Sequence, residues 1–160
     1  IAALQLAGAD FIIIPNNTVH FAIRKIQELS PLPVLNMCEI VATECIRLNI
    51  KTVSVLGTIF TMEDGLYDPY FQKSFIKQAL PNPKLKNRIN KLIFRELVPH
   101  TGQFSDAEPI AQELQEITCD AFILACSELP TVYNPENLKK PCIDPTVCLV
   151  RSAIEYAKSN

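Results

Sequence analysis

The chain has 160 residues, 48% of them apolar and 20% charged, with a formal net charge of −2. That length suffices for one domain with a buried core, the apolar share argues against disorder, and the charge leaves no basic surplus for a phosphate backbone. The four glycines, Gly8, Gly57, Gly65 and Gly102, stand at least eight positions apart. Neither a G-x-x-x-x-G-K phosphate loop nor a G-x-G-x-x-G dinucleotide turn is therefore possible.

The chain opens at Ile1 inside an amphipathic stretch and without an initiator Met, which reads as a fragment. The first run of strand length is 10–14, followed by 33–36. Met37, Val41, Cys45 and Leu48 recur at helical spacing and predict a helix with that stripe buried. Residues 52–56 form the next apolar run, and Asp68-Pro69 reads as an N-cap with proline at the first helical position. The stretch 74–83 is open between a helix end and a short strand. Leu85, Ile89, Leu92 and Ile93 predict a further helix. Ser105-x-x-Glu108 reads as a capping box ahead of a stripe at Ile110, Leu114 and Ile117. Runs at 120–125 and 141–143 complete the strands. Asp144-Pro145 then starts a last helix with a stripe at Val147, Val150, Ile154 and Ala157.

Continuous rather than alternating apolar runs suit strands buried on both faces, and their alternation with helices predicts an open α/β fold with a parallel sheet. Ligands in such folds sit beyond the carboxyl ends of the strands. The segments there are Pro15-Asn16-Asn17-Thr18-Val19-His20, Gly57-Thr58-Ile59-Phe60-Thr61 and Cys126-Ser127-Glu128-Leu129-Pro130. All three are small, polar and rich in hydrogen-bond donors, as capture of a small carboxylate requires. The six cysteines contain no C-x-x-C pair, and His20 and His100 lie far apart in sequence, which argues against structural zinc. Reduced, mostly buried thiols in a cytosolic protein are the expectation, rather than a disulfide framework. No apolar run approaches the length of a membrane span.

These strand-end segments resemble the aspartate/glutamate racemase family. The family's Pro-Cys-Asn-Thr-x-His reads here as residues 15–20. Its Thr-x-x-Thr with following Gly and Tyr is matched by Thr58, Thr61, Gly65 and Tyr67. Its Gly-Cys-Thr-Glu-Leu/Ile-Pro is matched by residues 125–130, and a closing Asp-Pro by Asp144-Pro145. The Cys-Ser-Glu form looks more like the aspartate branch.

The resemblance implies two pseudo-symmetric α/β lobes with the active site between them: 1–47 with 140–160 as the remainder of a first lobe, and 48–139 as a second. It implies a homodimer acting without cofactor or metal on a small dicarboxylic amino acid, with no nucleic-acid or membrane partner. One cysteine from each lobe would exchange a proton with Cα from opposite faces, which suits thiols because small shifts bring either protonation state within reach near neutral pH. Cys126 is then the second-lobe thiol, with Asn17, Thr18, Thr58, Thr61, Ser127 and Glu128 around the substrate. Tyr67 would wall the pocket or pack in the core, and His100 stands near where relatives place a basic residue. Asp144 reads as a helix cap, and Cys38, Cys45 and Cys148 as core.

The sequence departs from the family in two respects. The match begins well inside the first lobe, and the first-lobe cysteine is Asn16, an amide with no proton to exchange at neutral pH. Three enzymatic readings follow: a slow or one-directional racemase in which water replaces the lost thiol, one-cysteine chemistry like that of the related arylmalonate decarboxylases, or a racemase in which an introduced Asn16 traps substrate. A non-enzymatic dicarboxylate-binding homologue is the contrasting reading.

Overall fold

The structure is a computed structural model that describes residues 1–100 and 102–159. In chain order the elements are α1 (Ala2–Leu6), a 3-10 turn (Thr18–Ala22), α2 (Ile23–Leu29), α3 (Met37–Arg47), β1 (Thr52–Leu56), α4 (Ile59–Glu63) and α5 (Asp68–Lys73). There follow β2 (Lys77–Gln78), α6 (Pro83–Leu92), a π-helical turn (Ile93–Leu97), α7 (Ala107–Gln115) and β3 (Ala121–Leu124). A second 3-10 turn (Leu129–Thr131), α8 (Pro135–Leu138), β4 (Cys142–Ile143) and α9 (Pro145–Ser159) close the chain.

The four strands form one parallel sheet in the order β2-β1-β3-β4, with Val53 opposite Ala121 and Leu56 opposite Leu124. Side chains alternate across it. Val53, Val55, Ala121 and Ile123 pack toward α3, α5 and Cys148 of α9. Leu56, Phe122 and Leu124 pack toward α6, α7 and α8. The result is the parallel sheet flanked by helices that the continuous apolar runs predict.

Several local expectations are corrected. The runs at 10–14 and 33–36 reduce to a single parallel bridge between Ile12 and Val34, with a small core of its own around Ile23. Ambiguous 74–83 contains the short β2 and ends where α6 begins at Pro83. The capping box at Ser105 does not form: its hydroxyl donates to Glu96, and Asp106 precedes α7 without a side-chain cap. Asp68 lies one residue inside α5, with Tyr67 at the N-cap, and takes a hydrogen bond from Gln78 instead. Leu48 is exposed at the end of α3. In α9 the buried residues are Pro145, Cys148, Leu149 and Ala153, while Val147, Val150 and Ile154 are exposed. The helix is apolar on two adjacent faces, so a regular stripe chose the wrong one.

Candidate active site

The carboxyl ends of β1 and β3 are drawn together by a hydrogen bond from Ala125 N–H to the Leu56 carbonyl at 2.7 Å. Gly57 permits that approach, since a Cβ there would lie 3.1 Å from the Ala125 carbonyl oxygen and 3.2 Å from Thr61 Cβ. The chain turns from β1 directly into α4, whose start is held by Ile59 N–H donating to Asn90 of α6 at 2.9 Å. This places the Thr58 and Thr61 hydroxyls 3.3 Å apart. Across from them, Cys126 and Ser127 leave β3.

A cavity of about 210 Å³ opens at these strand ends. Asn16, Asn17 and Thr18 line it together with Thr58 and Thr61, and Cys126, Ser127 and Glu128 complete the polar part. The structure thus gathers all eight expected site residues around one space, although they come from three separated segments. Ile93, Phe94, Val98 and Thr146 also line it. These four were not expected: apolar residues at helical spacing read as core, and Thr146 belongs to no strand-end segment.

Cys126 is half-buried, and its thiol donates to Glu128 Oε2 at 3.0 Å. The Ser127 hydroxyl donates to the same oxygen at 2.9 Å. Burial, and then the Glu128 carboxylate, push the Cys126 thiol up to about 12. The same pair of donors holds Glu128 below the usual carboxylate range, and His100 contributes in that direction through its charge. At neutral pH the pair therefore carries one proton, on sulfur, and one negative charge, on carboxylate.

On the opposite chain segment Asn16 is committed to the backbone. Its Oδ1 accepts from Val19 N–H at 3.0 Å, at the start of the 3-10 turn whose N-cap is Asn17. Asn17 Oδ1 accepts from the hydroxyl of buried Tyr67, which leaves the Asn17 amide nitrogen for a ligand. Tyr67 is thus a core residue that positions Asn17.

His20 is fully engaged beneath this loop. Nδ1 lies 2.9 Å from the Asn16 carbonyl oxygen, and Met37 N–H donates to Nε2 at 3.1 Å. A carbonyl only accepts and an amide N–H only donates, so the partners assign the proton to Nδ1. Burial lowers the pKa of this neutral ring. His20 ties the Asn16 loop to the start of α3 and does not line the cavity.

Asp144 caps α9, its Oδ1 accepting from Thr146 N–H at 2.8 Å. Cys38, Cys45 and Cys148 are buried between the sheet and its helices, where desolvation raises all three thiols. Among the described residues no group of three or more His, Cys, Asp or Glu is arranged to hold a metal ion. No helix among them is long and apolar enough to cross a membrane.

Fold and strand-end cavity together define a parallel α/β protein with a thiol–carboxylate pair at its ligand edge. The chain belongs to the Asp/Glu/hydantoin racemase family, which it matches over residues 1–153. It is 28% identical over 153 residues to the broad specificity amino-acid racemase RacX of Bacillus subtilis (strain 168), covering 94% of this chain and 66% of that protein. The aspartate racemase homologue from Pyrococcus horikoshii OT3 superposes with a TM-score of 0.89 at 27% identity, covering 98% of this chain and 70% of that one. The Picrophilus torridus aspartate racemase shares the fold with a TM-score of 0.80 at 24% identity, over 99% of this chain and 66% of that one. The chain thus spans about two thirds of the length of these relatives.

Proposed function

We propose that the protein is an amino-acid racemase that works by proton transfer at Cα, with Cys126 as its one acid–base thiol. The observation that carries this reading is the hydrogen bond from Cys126 to Glu128 inside the cavity shared with the Thr58–Thr61 hydroxyl pair. The hydroxyls of Thr18, Thr58 and Thr61 and the Asn17 amide would hold the α-carboxylate, and the chemistry calls for no cofactor.

The resting thiol is not yet a base. Passing its proton to Glu128 yields a thiolate beside a carboxylic acid, with the pair's net charge unchanged. The thiolate then takes the Cα proton, and the carbanion charge spreads into the carboxylate held by the hydroxyls. Return of a proton from Cys126 regenerates the starting enantiomer. Inversion needs a proton from the other face, where a family member with two thiols has a donor and this chain has Asn16. Water supplies it in this reading, and the hydroxide left behind takes the proton held on Glu128, which restores the resting thiol–carboxylate pair; exchange of the Cα proton therefore outpaces inversion. Family membership, the relatives' names and the position of Cys126 support the reading. The resemblance names aspartate and glutamate as first substrates to assay. Two lobes, a homodimer and a cytoplasmic setting belong to the same proposal.

The commitment of Asn16 to Val19 favours one further reading, one-thiol decarboxylation of a substituted malonate, in which CO₂ leaves and the Cys126 thiol protonates the carbanion. Two assays separate the readings. Incubation with L- and D-amino acids in heavy water should place deuterium at Cα, and Cys126→Ala should abolish it. Release of CO₂ from a substituted malonate, with no Cα exchange in any amino acid, would move the assignment to the decarboxylase.

A further inference from the structure

The helix that carries Thr58 and Thr61 is too short to hold its own geometry. α4 has five residues, so whatever anchors its start decides where the two hydroxyls stand. Thr58 is its N-cap and has the extended backbone of that position, φ −67° and ψ 163°. A threonine there ordinarily turns its hydroxyl onto the N–H groups of the first turn. Here the hydroxyl makes no such bond and faces that of Thr61 instead, at 3.3 Å. The first N–H of the helix, that of Ile59, goes to Asn90 Oδ1 at 2.9 Å, 31 residues along the chain. Because an N–H only donates, the amide oxygen of Asn90 is the atom that faces it.

Asn90 is well placed for this. It lies on α6, which Leu85, Ile89 and Leu92 fix in the core that also holds Leu56 of β1. Its backbone carbonyl shares the Ile93 N–H with that of Ile89, where the π-helical turn begins. Ile93 and Phe94 of that turn line the cavity, as do Thr58 and Thr61. One residue therefore bonds the start of both segments, the threonines through its side chain and the π turn through its backbone. Asn90 itself is not among the lining residues. The far end of α4 is tied to α6 by a second contact, Lys86 to Glu63 at 3.4 Å. Glu63 is exposed, and such a pair contributes little.

Building on the racemase reading, we infer that Asn90 is a positioning residue for substrate binding: it anchors α4 from α6, so that the Thr58 hydroxyl faces the substrate carboxylate beside Thr61 rather than capping its own helix. Without Asn90 the start of α4 falls back on the ordinary N-cap bond. That bond turns the Thr58 hydroxyl onto the first turn and away from the substrate.

The test follows Cα deuterium exchange in aspartate and glutamate at varied concentration, with calorimetry on the same proteins. Asn90→Ala should raise KM about tenfold. A merely destabilised chain would lose active fraction, which lowers kcat and leaves KM unchanged. Thr58→Val should raise KM by a similar factor, and the double variant no further than either single one, because both changes remove one interaction. Glu63→Gln, which breaks only the exposed tie between the same helices, should leave both constants within about twofold. Asn90→Ser, too short to reach Ile59 but still polar, should repeat the KM rise if the alanine variant fails to fold. An unchanged KM, losses that add in the double variant, or an equal rise in Glu63→Gln would overturn the role of Asn90 and keep the racemase. No exchange of either acid in the native chain would overturn the racemase reading. Asn90 would keep its role in that case if calorimetry shows binding that weakens about tenfold in Asn90→Ala and no further in the double variant. Neither exchange nor binding would overturn both.

Discussion

The Cys126 thiol donates to the carboxylate of Glu128, two residues along the chain, at 3.0 Å. Because they stand two residues apart in the one turn that follows β3, no movement of the fold is needed to bring them together. The pairing stores the proton on sulfur and makes the carboxylate its acceptor, which decides how the site responds to pH and to substitution.

Glu128 is one of two groups that raise the thiol, the larger being burial. In Glu128→Gln the hydrogen-bonded charge is gone and the thiol should titrate at lower pH than the present value of about 12, though still above 9.0 because burial remains. Alkylation of the Cys126 peptide against pH, read by mass spectrometry, measures this. An unchanged or raised midpoint would remove Glu128 from the account. Cα exchange should fall by ~10²–10⁴, the usual cost of losing an acid–base group.

Asn16→Cys tests the opposite side of the same chemistry. The present amide accepts from Val19 N–H, so the change should cost about 1 kcal/mol of stability in urea denaturation. It should also raise the rate of inversion relative to exchange, because a second thiol can deliver the proton that water now supplies. A variant that loses stability and gains no inversion would show that position 16 lies outside the reaction path.

His20 links pH to stability. Burial lowers its folded pKa below the ordinary 6.5, so the unfolded chain binds a proton that the folded chain refuses. The stabilisation is complete above 6.5 and declines as pH falls from there toward the folded value. Protonation of Nε2 would also break the bond from Met37 N–H. Urea midpoints should drop over this interval in the native chain and stay flat in His20→Gln, whose amide oxygen and nitrogen have no such titration. The carboxylates Glu44 and Glu128, both lowered, act in a more acidic range and do not confuse the comparison.

Much of this arrangement was legible in the sequence for stated physical reasons. The runs at β1 and β3 are apolar at every buried position but Ser54, and the polar residues that follow them fall at the ligand edge. Cys126 and the two threonines stand in segments located that way, and the resemblance supplies the roles expected of them. Spacing points to the wrong face of α9 because Val147, Val150 and Ile154 keep the better period, whereas the buried face uses Cys148, Leu149 and Ala153. Spacing alone marks Ser105 as a cap and does not reveal that Glu96 takes its hydroxyl. Phe94 and Val98 escaped notice since a π turn has no signature in hydrophobic spacing.

Gly57 is the position where sequence and site geometry meet most tightly. A valine there would press against the Ala125 carbonyl and Thr61, separating β1 from β3. We expect Gly57→Val to destabilise the fold by ~1–3 kcal/mol and to lower substrate affinity as the Thr58–Thr61 pair shifts away from Cys126. Urea denaturation and calorimetry together check this, and full stability with unaltered binding would contradict the close approach.

The most direct measurement follows one amino acid enantiomer in heavy water by chiral chromatography coupled to mass spectrometry. The account predicts deuterium at Cα of the recovered starting enantiomer, accumulating faster than the opposite enantiomer appears, with both processes absent in Cys126→Ala. Inversion as fast as exchange, or exchange that survives in Cys126→Ala, would contradict a site built on this single thiol.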